Sequence, residues 1–190
     1  MKSFFLFSTM FKLLIPILLL LTGTVRAAID YNQNNSNIKN EIFNLRFNKA
    51  HKMKKKKKKL RPQNSAVVAC ESTLDFFRAF LSEQQSDFDR LKELSTSRLN
   101  IIEKETPSSP FYLHMQAEII FQRAIMKALN GETLGAGLDT RKAFKMFEEN
   151  HEKFPAFKPT LKGLGLLHVM IGSIPQNYRW IANLAGLSGT

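Results

Sequence analysis

A single cysteine, Cys70, is all the thiol chemistry in this chain of 190 residues. One cysteine cannot close an internal disulfide, and one cysteine with four scattered histidines leaves no zinc-ligand spacing. Cys70 is therefore expected to act as a small buried hydrophobe. Tryptophan and tyrosine are scarce, at one and three residues, and phenylalanine carries the aromatic content with 16. Sustained alternation of β-branched and polar residues is missing, which removes the strand signal. Catalytic and phosphate-binding motifs are missing too. There is no nucleophile-elbow sequence. Gly163-x-Gly165 lacks a third glycine and follows no strand, and Gly135-Ala136-Gly137 is not a Walker loop. No catalytic residue, metal ligand or cofactor-binding residue is expected.

What is present begins with a targeting segment. Lys2 opens it, Leu13 to Leu21 forms an uninterrupted core of nine apolar residues, and Val25-Arg26-Ala27-Ala28 supplies a small-residue exit. That order is the signal-peptide pattern, and the core falls short of the roughly 20 residues of a comfortable span. Residues 1–27 are read as a cleaved signal, so the protein is expected to be exported, periplasmic or envelope-associated. The alternative is an anchor across residues 4–25, with Lys12 snorkelling and the positive residues behind it favouring retention on the cytoplasmic side.

The formal net charge is +12 and the pI about 9.9. Residues 1–61 hold 14 Lys/Arg against only Asp30 and Glu41, and the rest of the chain is balanced. Residues 28–64, rich in Asn and Lys and containing the run Lys54, Lys55, Lys56, Lys57, Lys58 and Lys59, are expected to be a disordered linker, because such blocks self-repel and bury little. The run is a candidate contact for an anionic surface. Nucleic acid is not the expected partner, because the region behind the run is neutral and offers no basic face.

From Ser65 the apolar positions recur at three and four residues. Ser72-Thr73-Leu74-Asp75 resembles a capping box, although a start near Ser65 is also possible; Leu74, Phe77 and Leu81 follow on one face, with Phe80 beside them. Ser86 is placed to cap a second helix carrying Leu91, Arg98, Leu99 and Ile102. Ser109 with Pro110 starts a third, with Leu113, Ala117, Ile120, Ala124 and Ala128 on its face. Thr133 to Gly137 reads as a loop. A fourth helix runs from Asp139 or Thr140 to Phe154, with Ala143, Met146 and Phe147 inward. A fifth covers Leu161 to Ile171 with His168 on its apolar face, and a sixth follows Pro175.

Six helices with short turns suggest an all-α fold: antiparallel helical hairpins stacked as a short tetratricopeptide-like solenoid over residues 65–190. Ala143, Phe147 and Pro155 have the spacing of the second helix of such a repeat. Leu161-x2-Leu164-Gly165-x2-His168 falls where the next first helix belongs, with Ala143 and Gly165 standing where helices nearly touch. The stretch Arg141 to Phe144 through Phe154-Pro155, then Lys162 to Leu167, Ile174-Pro175 and Leu187-Ser188-Gly189, resembles signal-peptide-bearing tetratricopeptide repeat proteins of Bacteroidota. It is more distantly similar to the tetratricopeptide repeat protein 39 family. The resemblance implies a scaffold without catalytic residues, and a longer array of which this chain would be the N-terminal part.

The expected function is therefore a non-catalytic protein-binding scaffold of the cell envelope, holding a protein or peptide in a groove. Gln116, Arg123, Lys127 and Lys162 are the candidate groove residues. The alternative is a membrane-tethered structural protein whose lysine run contacts anionic lipid. Ile181, Ala182, Leu184 and Leu187 are expected to leave an apolar C-terminal edge prone to self-association.

Overall fold

The computed structural model describes residues 31–60 and 64–184, and the segment read as a signal or anchor lies outside them. Eight α-helices follow in order: α1 (Gln33–Phe43), α2 (Phe47–Leu60), α3 (Ser65–Ser82), α4 (Gln85–Ile102), α5 (Pro110–Leu129), α6 (Thr133–Lys153), α7 (Pro159–Gly172) and α8 (Arg179–Leu184). A short 3-10 turn, Gln176–Tyr178, precedes α8. The described residues form an all-α stack of helical hairpins. α3 pairs with α4, α5 with α6, and α7 follows on α6, while α3, α5 and α7 lie side by side. None of these helices is long and apolar enough to cross a membrane.

Local chemistry explains the helix starts. Asn64 Oδ1 accepts from the Val67 amide at 3.1 Å and caps α3, so α3 begins at Ser65 and the capping-box sequence at Ser72 lies inside it. There Ser72 donates to Gln122 Oε1 at 2.7 Å and Thr73 donates back to the Ala69 carbonyl at 3.1 Å. Ser109 caps α5 through the Phe111 amide, with Pro110 at the first helical position, as the sequence suggested. α4 starts at Gln85, with Gln84 and not Ser86 at the cap.

Two expected boundaries are corrected. Thr133 to Gly137 is the first turn of α6 and not a loop. Only Asn130, Gly131 and Glu132 connect α5 to α6, because Gly131 turns the chain at φ 78°, and Ala136 is already buried. The second correction is larger. Within residues 28–64, expected to be a disordered linker, α1 and α2 are helices over Gln33–Phe43 and Phe47–Leu60. Ile38 and Ile42, one turn apart, are fully buried against Cys70 and Leu74. The lysine run is divided by the helical period. Lys54 and Lys58 bind Glu71 at 3.3 and 2.9 Å. Lys57 donates to Asn32 and Asn35 at 2.8 and 2.5 Å. Lys52, Lys55, Lys56 and Lys59 remain exposed on the outer face. The self-repulsion that argues for disorder is relieved by Glu71 and by amide oxygens, which composition alone does not place. It follows that a basic face does belong to the folded body.

The main core surrounds α5. Met115, Ala117, Ile119, Ile120 and Phe121 meet Ala66 and Ala69 of α3, Leu99 and Ile102 of α4, Ala143, Phe144 and Phe147 of α6, and Leu167 of α7. Each large side chain fully buried there contributes about 1.5–3 kcal/mol. α5 is buried on several faces, and its sequence accordingly shows no clean polar stripe. Ala128, Phe80 and Leu81, expected inside, are exposed. So is His168, whose ring meets Phe144 edge-on at 5.3 Å. The close approach of α6 and α7 is at Gly163 and not Gly165. A methyl at Gly163 would stand 2.6 Å from Phe147 Cζ, whereas one at Gly165 would meet nothing within 4 Å. At the far end of the stack Leu161, Leu166, Val169 and Trp180 are all exposed. The side chains of Ile181, Ala182 and Leu184, and residue Leu187, lie outside the described set.

Candidate functional site

The first helices of the pairs, α3, α5 and α7, turn related faces toward one groove. From α5 come His114, Glu118, Phe121, Gln122 and Ile125, spaced 4, 3, 1 and 3 residues apart, which is a single helical face. α3 adds Thr73, Phe76 and Phe77, and α7 adds Pro159, Lys162, Gly163 and Leu166. Phe147 of α6 closes the floor.

α1 packs on α3 and reaches α5 and α7 through single side chains. Its Asn35 carbonyl accepts from the Cys70 thiol of α3 at 3.7 Å. Lys39 reaches α5, where its Nζ donates to Glu118 Oε2 at 2.6 Å. Tyr31, just before the helix, stacks on Phe111 of α5 with ring centroids 4.4 Å apart. At the other end Phe43 lies edge-on to Phe77 at 5.7 Å and receives Lys162 Nζ of α7 over its ring at 4.3 Å. Between Phe43 and the walls a half-open recess of about 140 Å³ remains, bordered mainly by Phe76, Phe77, Phe121, Ile125, Phe147 and Leu166.

Glu118 is the electrostatic centre of this groove. Burial alone would raise its pKa. The Lys39 charge, with His114 one turn away at 3.5 Å, instead holds the carboxyl far below the usual range. Burial likewise disfavours the Lys39 ammonium, but Glu118 outweighs it, and the group is pushed up to about 12. His114 Nδ1 finds no hydrogen-bond partner among the described residues, and its ring packs against Phe147 and Phe157. Burial pushes the Cys70 thiol up to about 11, so it packs as a hydrophobe. No cluster of three metal-ligating side chains occurs among the described residues. Chemically, the groove is a half-buried anion between aromatic walls, suited to holding a cation carried on an apolar helix.

Of the residues proposed from the sequence, only Lys162 lines this groove. Gln116 is buried and donates to the Tyr112 carbonyl at 3.2 Å. Arg123 and Lys127 both hold Asp139 of α6 at 2.8 Å, and burial of that carboxyl is outweighed so that its pKa is lowered. The three residues share one face of α5, but it lies about half a turn from the groove face and packs toward α6. Residue type suggested contact with a partner, whereas the facing helix decided it. Sequence reasoning missed His114, Glu118 and Gln122, whose spacing was readable, and Lys39, which had been assigned to the linker.

The chain matches no family model, no curated protein and no solved structure.

Proposed function

We propose that the chain is a non-catalytic protein-binding scaffold of the cell envelope, and that its working surface is the groove on α3, α5 and α7. The observation that carries this reading is α1 itself: a helix already packs on α3 through Ile38 and Ile42 and bridges to α5 and α7 through Lys39 and Phe43. That is helix-in-groove recognition. The repeat type we favour is tetratricopeptide-like, from the Ala143, Phe147 and Pro155 spacing. The pairs open at Ser65, Pro110 and Pro159, farther apart than the standard repeat of about 34 residues. The helices are therefore longer versions of that hairpin. Export by residues 1–27, or anchoring by residues 4–25, belongs to the same proposal.

A photoreactive residue at Leu166, in the groove, should give a discrete protein adduct in the envelope fraction. The same residue at Leu138, exposed elsewhere, should not. Equal labelling at both positions, or at neither, would remove the groove as a binding surface.

A second reading has its own support. Lys52, Lys55, Lys56 and Lys59 recur at three, four and seven residues on the outer face of α2 and are exposed. None forms an ion pair among the described residues. Leu60, 74% exposed, ends the same helix. Lysines beside an exposed aliphatic side chain suit an anionic lipid surface. Of the original run, Lys55, Lys56 and Lys59 would make the contact, and Lys54, Lys57 and Lys58 would hold α2 in place. The exposed Leu161, Val169 and Trp180 keep self-association through the C-terminal edge within the proposal.

A further inference from the structure

We propose that α1 is a built-in, displaceable occupant of the groove, and that the external partner is an amphipathic helix repeating α1's pattern. That pattern is an aliphatic pair four residues apart with a lysine or arginine directly after the first, followed by an aromatic. This rests on the scaffold reading and specifies its ligand and its regulation.

Three observations lead there. The first is charge. Glu118 is half-buried beside His114, and its ionised form is held there chiefly by Lys39, 2.6 Å away. An occupant without a cation at that point would leave a half-buried carboxylate without its closest partner, which is costly. The ligand must therefore bring its own lysine or arginine.

The second is the weakness of the present occupant. α1 reads Gln-Asn-Asn-Ser-Asn-Ile-Lys-Asn-Glu-Ile-Phe, and only Asn35, Ile38 and Ile42 are buried. Asparagine and serine are poor helix formers inside a helix. Its hairpin partner α2 buries only Ala50 and carries like charges one turn apart. α3, by contrast, buries eleven residues. Little burial and poor propensity place the α1–α2 hairpin at the low end of local opening free energies.

The third is fit. α1 leaves about 140 Å³ of apolar-walled space beside Phe43. A helix with a bulkier apolar group at that point fills it and buries more of the apolar wall than α1 does. The tether gives α1 a high effective concentration, so a competitor needs such an advantage.

The test uses the whole chain and a fluorescein-labelled synthetic peptide of residues 31–45, read by anisotropy. A chain carrying Ile38→Asp and Ile42→Asp, its own α1 dislodged, should bind the peptide at least about tenfold more tightly than wild type, because a groove closed most of the time lowers apparent affinity by its open fraction. Peptide carrying Lys39→Glu should fail on that chain and bind again when the chain also carries Glu118→Lys. Hydrogen exchange on the wild-type chain needs no substitution. Excess unlabelled peptide should deprotect the amides of residues 34–43 and leave residues 115–126 unchanged.

Equal peptide affinity for the two chains, indifference to the charge reversal, or unchanged exchange in α1 would each overturn the proposal. So would a dimer that ignores the peptide, since α1 would then serve a second copy. If the Leu166 adduct forms while the peptide is ignored, the scaffold reading stands and the displacement fails. If neither is seen, both fail.

Discussion

Two glycines two residues apart in α7 should respond to alanine with opposite signs. In a helix interior, glycine to alanine is favourable by about 0.8–1 kcal/mol from backbone entropy alone. Gly165 has nothing within 4 Å of where a methyl would stand, so Gly165→Ala should realise most of that gain. At Gly163 the same methyl would stand 2.6, 2.8 and 2.9 Å from three ring carbons of Phe147. Carbon pairs prefer about 3.5–4.0 Å, so the ring or the helix must retreat by about 1 Å. Phe147 is fully buried and packs within the main core, so it has little room to move. Overpacking of that kind costs about 1–3 kcal/mol. Set against the entropy gain, Gly163→Ala should be a net loss of up to about 2 kcal/mol. With roughly 2–4 °C per kcal/mol at this size, thermal unfolding followed by circular dichroism should show Gly165→Ala above wild type by about 2–4 °C and Gly163→Ala below it by up to about 8 °C. If Gly163→Ala raises the melting temperature as Gly165→Ala does, the close contact between α6 and α7 is absent and the packing argument is wrong.

Lys39→Met should destabilise by about 1–3 kcal/mol, because it leaves the half-buried Glu118 carboxylate without its lysine; adding Glu118→Gln should recover much of the loss in urea titrations, and a double variant no better than the single would contradict the pairing. Glu118, Glu71 and Asp139 all have pKa values lowered in the fold, so their contribution is present above the ordinary carboxylate range and is lost as pH falls through and below it. Lys39, raised to about 12, contributes below its ordinary value and loses that contribution as pH rises toward 12. Stability against denaturant should therefore be flat across neutral pH and fall at both extremes, with Asp139→Asn shallowing the acid limb. Lys55→Glu, Lys56→Glu and Lys59→Glu together should abolish sedimentation with phosphatidylserine vesicles while leaving the melting temperature nearly unchanged, whereas Lys54→Glu with Lys58→Glu should lower it by confronting Glu71 with like charge. Retention on vesicles, or transfer of the same binding to a short duplex DNA, would remove lipid as the partner of that stripe.

The helical class and most of the helices after Ser65 were legible in the chain itself. Period and caps are local physics. Ser109-Pro110 starts α5 because a hydroxyl and a fixed φ act on the next few residues, wherever the chain goes later. The same local rules made residues 28–64 look unstructured, since neither an asparagine-rich helix nor a lysine run stabilises itself. Only the tertiary structure could place Ile38 and Ile42 on Cys70 and Leu74, and Glu71 under Lys54 and Lys58. The groove divides in the same way. The spacing of His114, Glu118, Phe121, Gln122 and Ile125 already marked one face of α5, but so did that of Gln116, Arg123 and Lys127, and both contain polar groups. Which face is buried against α6 and which lines the groove depends on how three hairpins stack. Lys39 lies 79 residues from Glu118, and no sequence period links them. The sequence by itself determined the helices and their local caps, because those depend on neighbours within a turn or two. The tertiary structure decided the groove, its charge and its occupant, because these arise where distant segments exclude water together.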